Sequence, residues 1–175
     1  YSAGRRYESL SIGPMLAMGN AMSTFTAQNM GAGKIDRVKE GYRMCYVIVL
    51  TAGAVLCVMY QLAGGAFVSL FLDSGSSEAY SVGLSYVKFL SFFYSFIGLK
   101  ASTDGLLRGA GDVTAFTVAN LVNLAIRVSV TNLFAPVYGI QVAWMAVPLG
   151  WAANYVISFG WYLTGKWKKV RVIKK

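Results

Sequence analysis

Three stretches of this chain run without a charged residue: Ser9 to Gly33 (25 residues), Met44 to Leu72 (29 residues) and Val128 to Gly165 (38 residues). A helix of about 20 apolar residues is enough to cross the ~30 Å hydrocarbon core of a bilayer. Only 13% of the 175 residues are charged, and 56% are hydrophobic. Soluble domains carry about 25% charge, and disordered chains need high charge with low hydrophobicity. The pattern therefore predicts a chain solvated by lipid, and it excludes disorder and an ordinary soluble enzyme.

Two further segments read as spans interrupted by charge. Tyr80 to Leu107 carries Lys88, Lys100 and Asp104, and Val113 to Ala135 carries Arg127. The expectation is an all-α membrane protein with five transmembrane helices, at about 10–30, 44–72, 80–107, 113–135 and 138–164. Pro136, Tyr138 and Gly139 divide the longest charge-free stretch. The second helix is too long for an upright crossing. It should break at Gly64-Gly65 and leave 66–72 along the interface. Pro14 and Pro148 should bend the first and last helices.

Lys and Arg counts set the orientation. If all five segments cross, one side collects the loop 34–43, the turn 108–112 and the tail 166–175, with 11 basic residues. The other side has Arg5 and Arg6 alone. The C-terminal tail should then be cytoplasmic. The net charge of +9 is directed at lipid headgroups rather than nucleic acid, because the basic residues flank apolar segments. The chain starts at Tyr1 and enters a span almost at once, without a charged-then-apolar leader. It is expected to be a piece of a larger polytopic protein.

The residues argue against catalysis. Histidine is absent, which removes the commonest general base and metal ligand. Cys45 and Cys57 lie 12 apart in an apolar run and make neither a CxxC pair nor a zinc cluster. Gly31-Ala32-Gly33-Lys34 resembles the end of a phosphate loop. However, position 28 is Gln, position 35 is Ile, and no strand precedes it. It reads as a helix C-cap and a basic linker. Gly109-Ala110-Gly111-Asp112 reads as a tight helix–helix turn, with Asp112 capping the next helix. No catalytic residue, resident cofactor or metal site is expected.

Three sets of residues are candidates for a transport site. Met15, Met18, Met22 and Phe25 share one face of the first helix. That face suits either an adaptable pocket wall or ordinary packing. Phe92 and Phe96, within a run that also holds Phe89, Phe93 and Tyr94, could line a path for aromatic or cationic compounds or simply face lipid. Lys100, Asp104, Asn120, Asn123, Arg127 and Asn154 are polar groups at membrane depth. Such groups face protein or water, as transport elements or as glue between helices.

The stretch Thr26-Ala27-Gln28-Asn29-Met30-Gly31-Ala32-Gly33-Lys34 resembles the AQN-x-GAG signature of the multidrug and toxic compound extrusion (MATE) family. Gly105-Leu106-Leu107-Arg108-Gly109-Ala110-Gly111-Asp112 resembles that family's LRGAGD turn, and Pro148-Leu149-Gly150-Trp151 its last helix. On these motifs Gln28, Asn29, Gly31, Gly33, Arg108, Gly109, Gly111, Asp112, Pro148 and Gly150 are structural family positions. The resemblance implies the eighth to twelfth helices of a twelve-helix, two-lobe transporter. The chain would then be a partial C-terminal lobe whose N-terminal lobe is absent. It further implies a cell-membrane efflux antiporter for organic cations, driven by a Na⁺ or H⁺ gradient. The family's mid-tenth-helix carboxylate position falls near Phe96-Ile97, so the resemblance implies a coupling carboxylate elsewhere. The alternatives are a lobe of a lipid-linked saccharide flippase, which would need a strongly basic cleft, and a truncated membrane fragment that does not transport.

Overall fold

The computed structural model describes residues 2–69 and 77–169, with side-chain surroundings for 12–69, 80–139 and 142–169. The described chain is helical throughout: α1 Ser2–Gly31, α2 Ile35–Ser69, α3 Ser77–Ser91, α4 Tyr94–Gly109, α5 Val113–Tyr138, α6 Ile140–Leu163, and a short 3₁₀ turn at Lys166–Lys169. The protein is an all-α membrane protein. Among the described residues, three helices are long and apolar enough to cross a bilayer: Ile35–Ser69, Val113–Tyr138 and Val142–Leu163. The α3–α4 pair makes a fourth if it counts as one bent span.

α1 does not meet the same measure of length and apolar content. It has the length, but Gly, Asn, Ser, Thr and Gln dilute its apolar content. Its polar groups also have a place to go, because α1 packs along α4 and α2 rather than standing alone in lipid.

α4 is the axis of the lobe, in contact with α1, α2, α5 and α6. Small residues let α1 approach it closely. A Cβ on Gly19 would lie 2.6 Å from the Ala101 carbonyl oxygen. One on Gly105 would strike the Gly19 carbonyl, and one on Gly109 the Ser23 carbonyl. Ala101, Gly105 and Gly109 repeat every four residues, the small-xxx-small pattern that brings membrane helices into backbone contact.

Other boundaries also move. Past Lys34, the basic stretch is not a loop: residues 35–43 are the first turns of α2. Nothing in it breaks a helix, and Val38, Tyr42, Cys45 and Val49 form one buried stripe through it. Asp36 sits in the first turn, where the helix dipole favours an acid, and pairs with Lys39 at 2.7 Å. Gly64-Gly65 does not break α2, which runs on to Ser69. Gly64 is buried with Leu84 and Lys88 of α3 over it, so it serves close packing. Positions 70–72 of the expected interfacial tail and 170–175 of the basic tail lie outside the described residues. Pro136 lies inside α5, and the division falls at Gly139, whose φ of +82° suits glycine.

The expected single helix over 80–107 is broken at Phe92-Phe93, and its two parts meet at 54°. The cause lies on α2. A break in a membrane frees backbone groups that lipid cannot satisfy. Here Gln61 Nε2 donates to the Lys88 carbonyl at 2.9 Å and to Ser91 Oγ at 3.0 Å. Ser91 Oγ donates to the same carbonyl at 2.7 Å. Gln61→Leu removes the main donor, and a lost buried partner costs about 1–3 kcal/mol. The expected result is a lower thermal midpoint of the full-length protein in detergent, lowered further by adding Ser91→Ala. An unchanged midpoint would show that the bend does not depend on Gln61.

Candidate functional site

The expected Lys100–Asp104 pair forms at 2.9 Å, with side chains only 14% and 6% exposed. The carboxylate accepts three hydrogen bonds, two on Oδ2 and one on Oδ1. Lys100 Nζ and Asn120 Nδ2 (3.2 Å) donate to Oδ2, and Ser158 Oγ (2.7 Å) donates to Oδ1. Lys100 Nζ also donates to Asn120 Oδ1 at 3.0 Å. The cluster therefore ties α4 to α5 and α6. Asn154, fully buried, lies next to it, its Oδ1 3.3 Å from Ser158 Oγ, and its Nδ2 lacks a partner. Turning that amide would let Nδ2 donate to Ser158 and leave the hydroxyl proton for Asp104.

A second polar cluster lies beside it. Tyr42 and Tyr46 of α2 bond to each other, and both reach Thr103 Oγ1 of α4, at 2.7 and 2.9 Å. Tyr46 also donates to Tyr155 of α6 at 3.3 Å. Sequence reasoning missed these hydroxyls and Ser158. The i, i+4 spacing of Tyr42 and Tyr46 was the available signal, but their partners are 57 to 109 residues away.

Arg108 joins three helices at the basic end. It donates to Asn20 Oδ1 at 2.7 Å and to Ser23 Oγ at 3.4 Å on α1, and lies 5.7 Å from the ring centre of Phe116 on α5. Arg108 thus links α1, α4 and α5 on one side of the lobe at this end. There α1 exposes Ala17, Asn20, Ala21, Thr24 and Gln28, which are small or polar, with Leu16 the one large apolar side chain among them. The outer face of α2 instead exposes Met44, Val47, Ile48, Val55, Val58 and Leu62. That second face suits hydrocarbon, while the first suits protein or water.

The methionine face has a definite place. Met15 and Met22 are 1% and 3% exposed within the core, and Met18 and Phe25 pack against it. Phe25 covers Gly41 of α2, and Met15 borders Gly98 of α4. These side chains turn into the lobe itself. Phe92 and Phe96 are exposed, and Phe96 shares an α4 face with Lys100.

Unlike Lys100, Arg127 makes no ion pair among the described residues. Its stem rests on Gly150 of α6, as does the Asn123 side chain, and the residue as a whole is exposed. Asn123 Oδ1 is buried without a partner. Among the described residues, no three His, Cys, Asp or Glu side chains converge as metal ligands.

The signature positions are caps and close contacts. Asn29 Nδ2 donates to the Phe25 carbonyl at 2.8 Å, Gln28 is exposed, and Pro148 is buried. Past Gly31, Gly33 turns the chain with φ +71°, and Lys34 N donates back to Asn29 O at 2.8 Å. Gly111, at φ +83°, does the same after α4. Asp112 caps α5 as expected, accepting from Ala115 N at 3.3 Å. It also accepts from Trp161 Nε1 at 2.6 Å, which fixes the end of α6 beside the 109–112 turn. Trp167, fully buried, stacks on Tyr162, and Tyr162 meets Tyr42 of α2. The three basic segments therefore share one end of the lobe.

The MatE family model matches residues 1–147. The chain is 28% identical to a probable multidrug resistance protein, YpnP, of Bacillus subtilis, over 98% of this chain and 38% of that protein. It is 21% identical to a probable multidrug resistance protein, NorM, of Thermotoga maritima, over 98% of this chain and 37% of that protein. A 26% identical stretch of Protein DETOXIFICATION 29 of Arabidopsis thaliana covers 69% of this chain and 24% of that protein. The chain thus spans less than two-fifths of the length of these relatives. No solved structure matches it.

Proposed function

Because the chain belongs to the MatE family, we propose that it serves as part of an efflux transporter that moves small organic compounds across the cell membrane in exchange for Na⁺ or H⁺. One observation supports this reading above the others. The side where Arg108 links α1, α4 and α5 carries polar and charged groups that lipid cannot satisfy, beside an α2 face made for lipid. In our reading the first side borders the cleft between this lobe and a preceding N-terminal lobe. The basic end, with Lys34, Arg37, Lys39, Arg43 and the Lys166–Lys169 turn, lies in the cytoplasm.

The Asp104 carboxylate is neutralised by Lys100 and held by Asn120 and Ser158. The coupling carboxylate therefore belongs, in this reading, to a segment beyond this chain. The saccharide-flippase alternative loses support, because its basic cleft would draw on Lys100, which Asp104 neutralises.

The test is the full-length protein in proteoliposomes loaded with ethidium. An imposed Na⁺ or H⁺ gradient should drive ethidium out, and collapsing the gradient should stop it. Ethidium flux that ignores both gradients, or no flux of any organic probe, would sink the proposal.

A further inference from the structure

α2 and α6 both pack on α4 but do not approach one another closely. Rings cross the gap between them. The Tyr42 and Tyr162 ring centres are 4.6 Å apart, and those of Tyr46 and Tyr155 are 6.5 Å apart. Tyr42 and Tyr46 also bond to Thr103, so α4 is the floor of a shallow groove. One wall is a half-buried ladder of stacked rings on α6. Tyr155, Phe159 and Tyr162 follow at 5.4 and 6.0 Å, and Trp167 closes the ladder at 5.6 Å from Tyr162. The three α6 rings cover ~10 Å of helix length. The other lip is the α2 row Arg43, Val47, Leu50 and Ala54, all exposed, at steps of 4, 3 and 4. Past Arg43 this row is apolar, and Val156 and Leu163 beside the ladder are 67% and 66% exposed. The groove therefore opens to hydrocarbon, away from the side where Arg108 links α1, α4 and α5.

Its mouth is basic. Arg43 is the last charge before the uncharged stretch that begins at Met44, which sets it at headgroup depth. Lys39 and Arg43 lie near enough to the Tyr162 hydroxyl to act on it electrostatically, and Lys168 does the same to Asp36. Cations of α2 and of the terminal turn thus converge on one spot. The acids on this turn of α2 are Asp36 and Glu40, and Asp36 is held by Lys39 at 2.7 Å. Basic pockets between membrane helices attract anionic headgroups, and a guanidinium takes two phosphate oxygens at once. Rings at the interface suit the glycerol end of a lipid and the first carbons of its chains.

We propose that the α2–α6 groove holds an anionic phospholipid, its phosphate received by Arg43 and Lys168 and one acyl chain laid along Phe159 and Tyr155. The bound lipid bridges α2 to the terminal turn and braces the basic end of the lobe. This site is independent of which compounds the transporter moves.

The experiment reads the thermal midpoint of the full-length protein in a mild detergent, with dioleoylphosphatidylglycerol or dioleoylphosphatidylcholine added. A ligand that binds the folded state raises the midpoint. The wild type should gain several degrees more from phosphatidylglycerol than from phosphatidylcholine. Arg43→Gln combined with Lys168→Gln should lose at least half of that difference. Lys34→Gln combined with Arg37→Gln removes the same charge from the same end, but Arg37 faces away from the groove, so the difference should be kept. Each variant is its own reference, so a lowered starting midpoint does not obscure the result. Equal losses in the two double variants, or no loss in the first, overturn the proposal. So does a wild type without a preference for phosphatidylglycerol. A rise of the same size from glycerol phosphate alone would mean a site for soluble anions and would overturn it as well.

Discussion

Asp104→Asn is expected to destabilise the full-length protein by about 3–5 kcal/mol, the range for removing one partner of a buried ion pair. The substitution keeps the shape but leaves the Lys100 ammonium, 14% exposed, with only neutral amide oxygens as acceptors and no countercharge. It also puts an amide opposite Ser158, where a carboxylate accepted at 2.7 Å. Lys100→Met combined with Asp104→Leu should recover most of the loss, because a buried pair replaced by apolar groups is often close to neutral. The two single variants and the double variant form a cycle, read from thermal midpoints in detergent, and the coupling energy should exceed 1 kcal/mol. If Asp104→Asn is as stable as the wild type, the carboxylate is not holding α4, α5 and α6 together.

Gly105→Leu should be more damaging, because its origin is steric. The Gly105 Cα faces the Gly19 carbonyl so closely that even one added carbon collides with backbone, which cannot rotate away. Overpacking typically costs about 1–3 kcal/mol, and more where backbone must move. Three more carbons would pry α1 off α4 along the contact through Ala101 and Gly109. The variant should fail to yield a monodisperse peak from detergent extracts. Gly13→Leu, at a position with open space, should behave as wild type. Equal behaviour of the two variants would contradict the close α1–α4 contact.

What the sequence disclosed, and what it hid, follows from where the cause of each feature lies. Long apolar windows, uncharged for α2 and α6 and interrupted by Arg127 alone for α5, located these helices, because hydrophobic length is a local property. Lys100 with Asp104 could be paired from their spacing, and Asp112 could be assigned as a cap, because both relations lie within one turn of helix. The bend at Phe92-Phe93 was hidden, since the donor that stabilises it, Gln61, is on another helix. The tyrosine cluster was hidden for the same reason. The start of α2 was misplaced because charge was taken as the mark of a loop, while Val38 and Tyr42 already carried the helical stripe through the basic residues. The methionine face was legible as a face. That it turns into the lobe's own core depends on Gly41 and Gly98, which open space for Phe25 and Met15.

The account stands on a multi-pass arrangement in which α3 and α4 cross the membrane together as one bent span. Single cysteines at Lys34, Val113 and Lys168, and at Ser69 and Tyr138, in a background with Cys45 and Cys57 replaced by Ser, test it directly. A membrane-impermeant maleimide applied to the full-length protein in oriented vesicles should reach the first three from one side only and the last two from the other. Labelling of Val113 from the same side as Ser69 would mean that the bent pair folds back instead of crossing, and the arrangement of the lobe would be wrong.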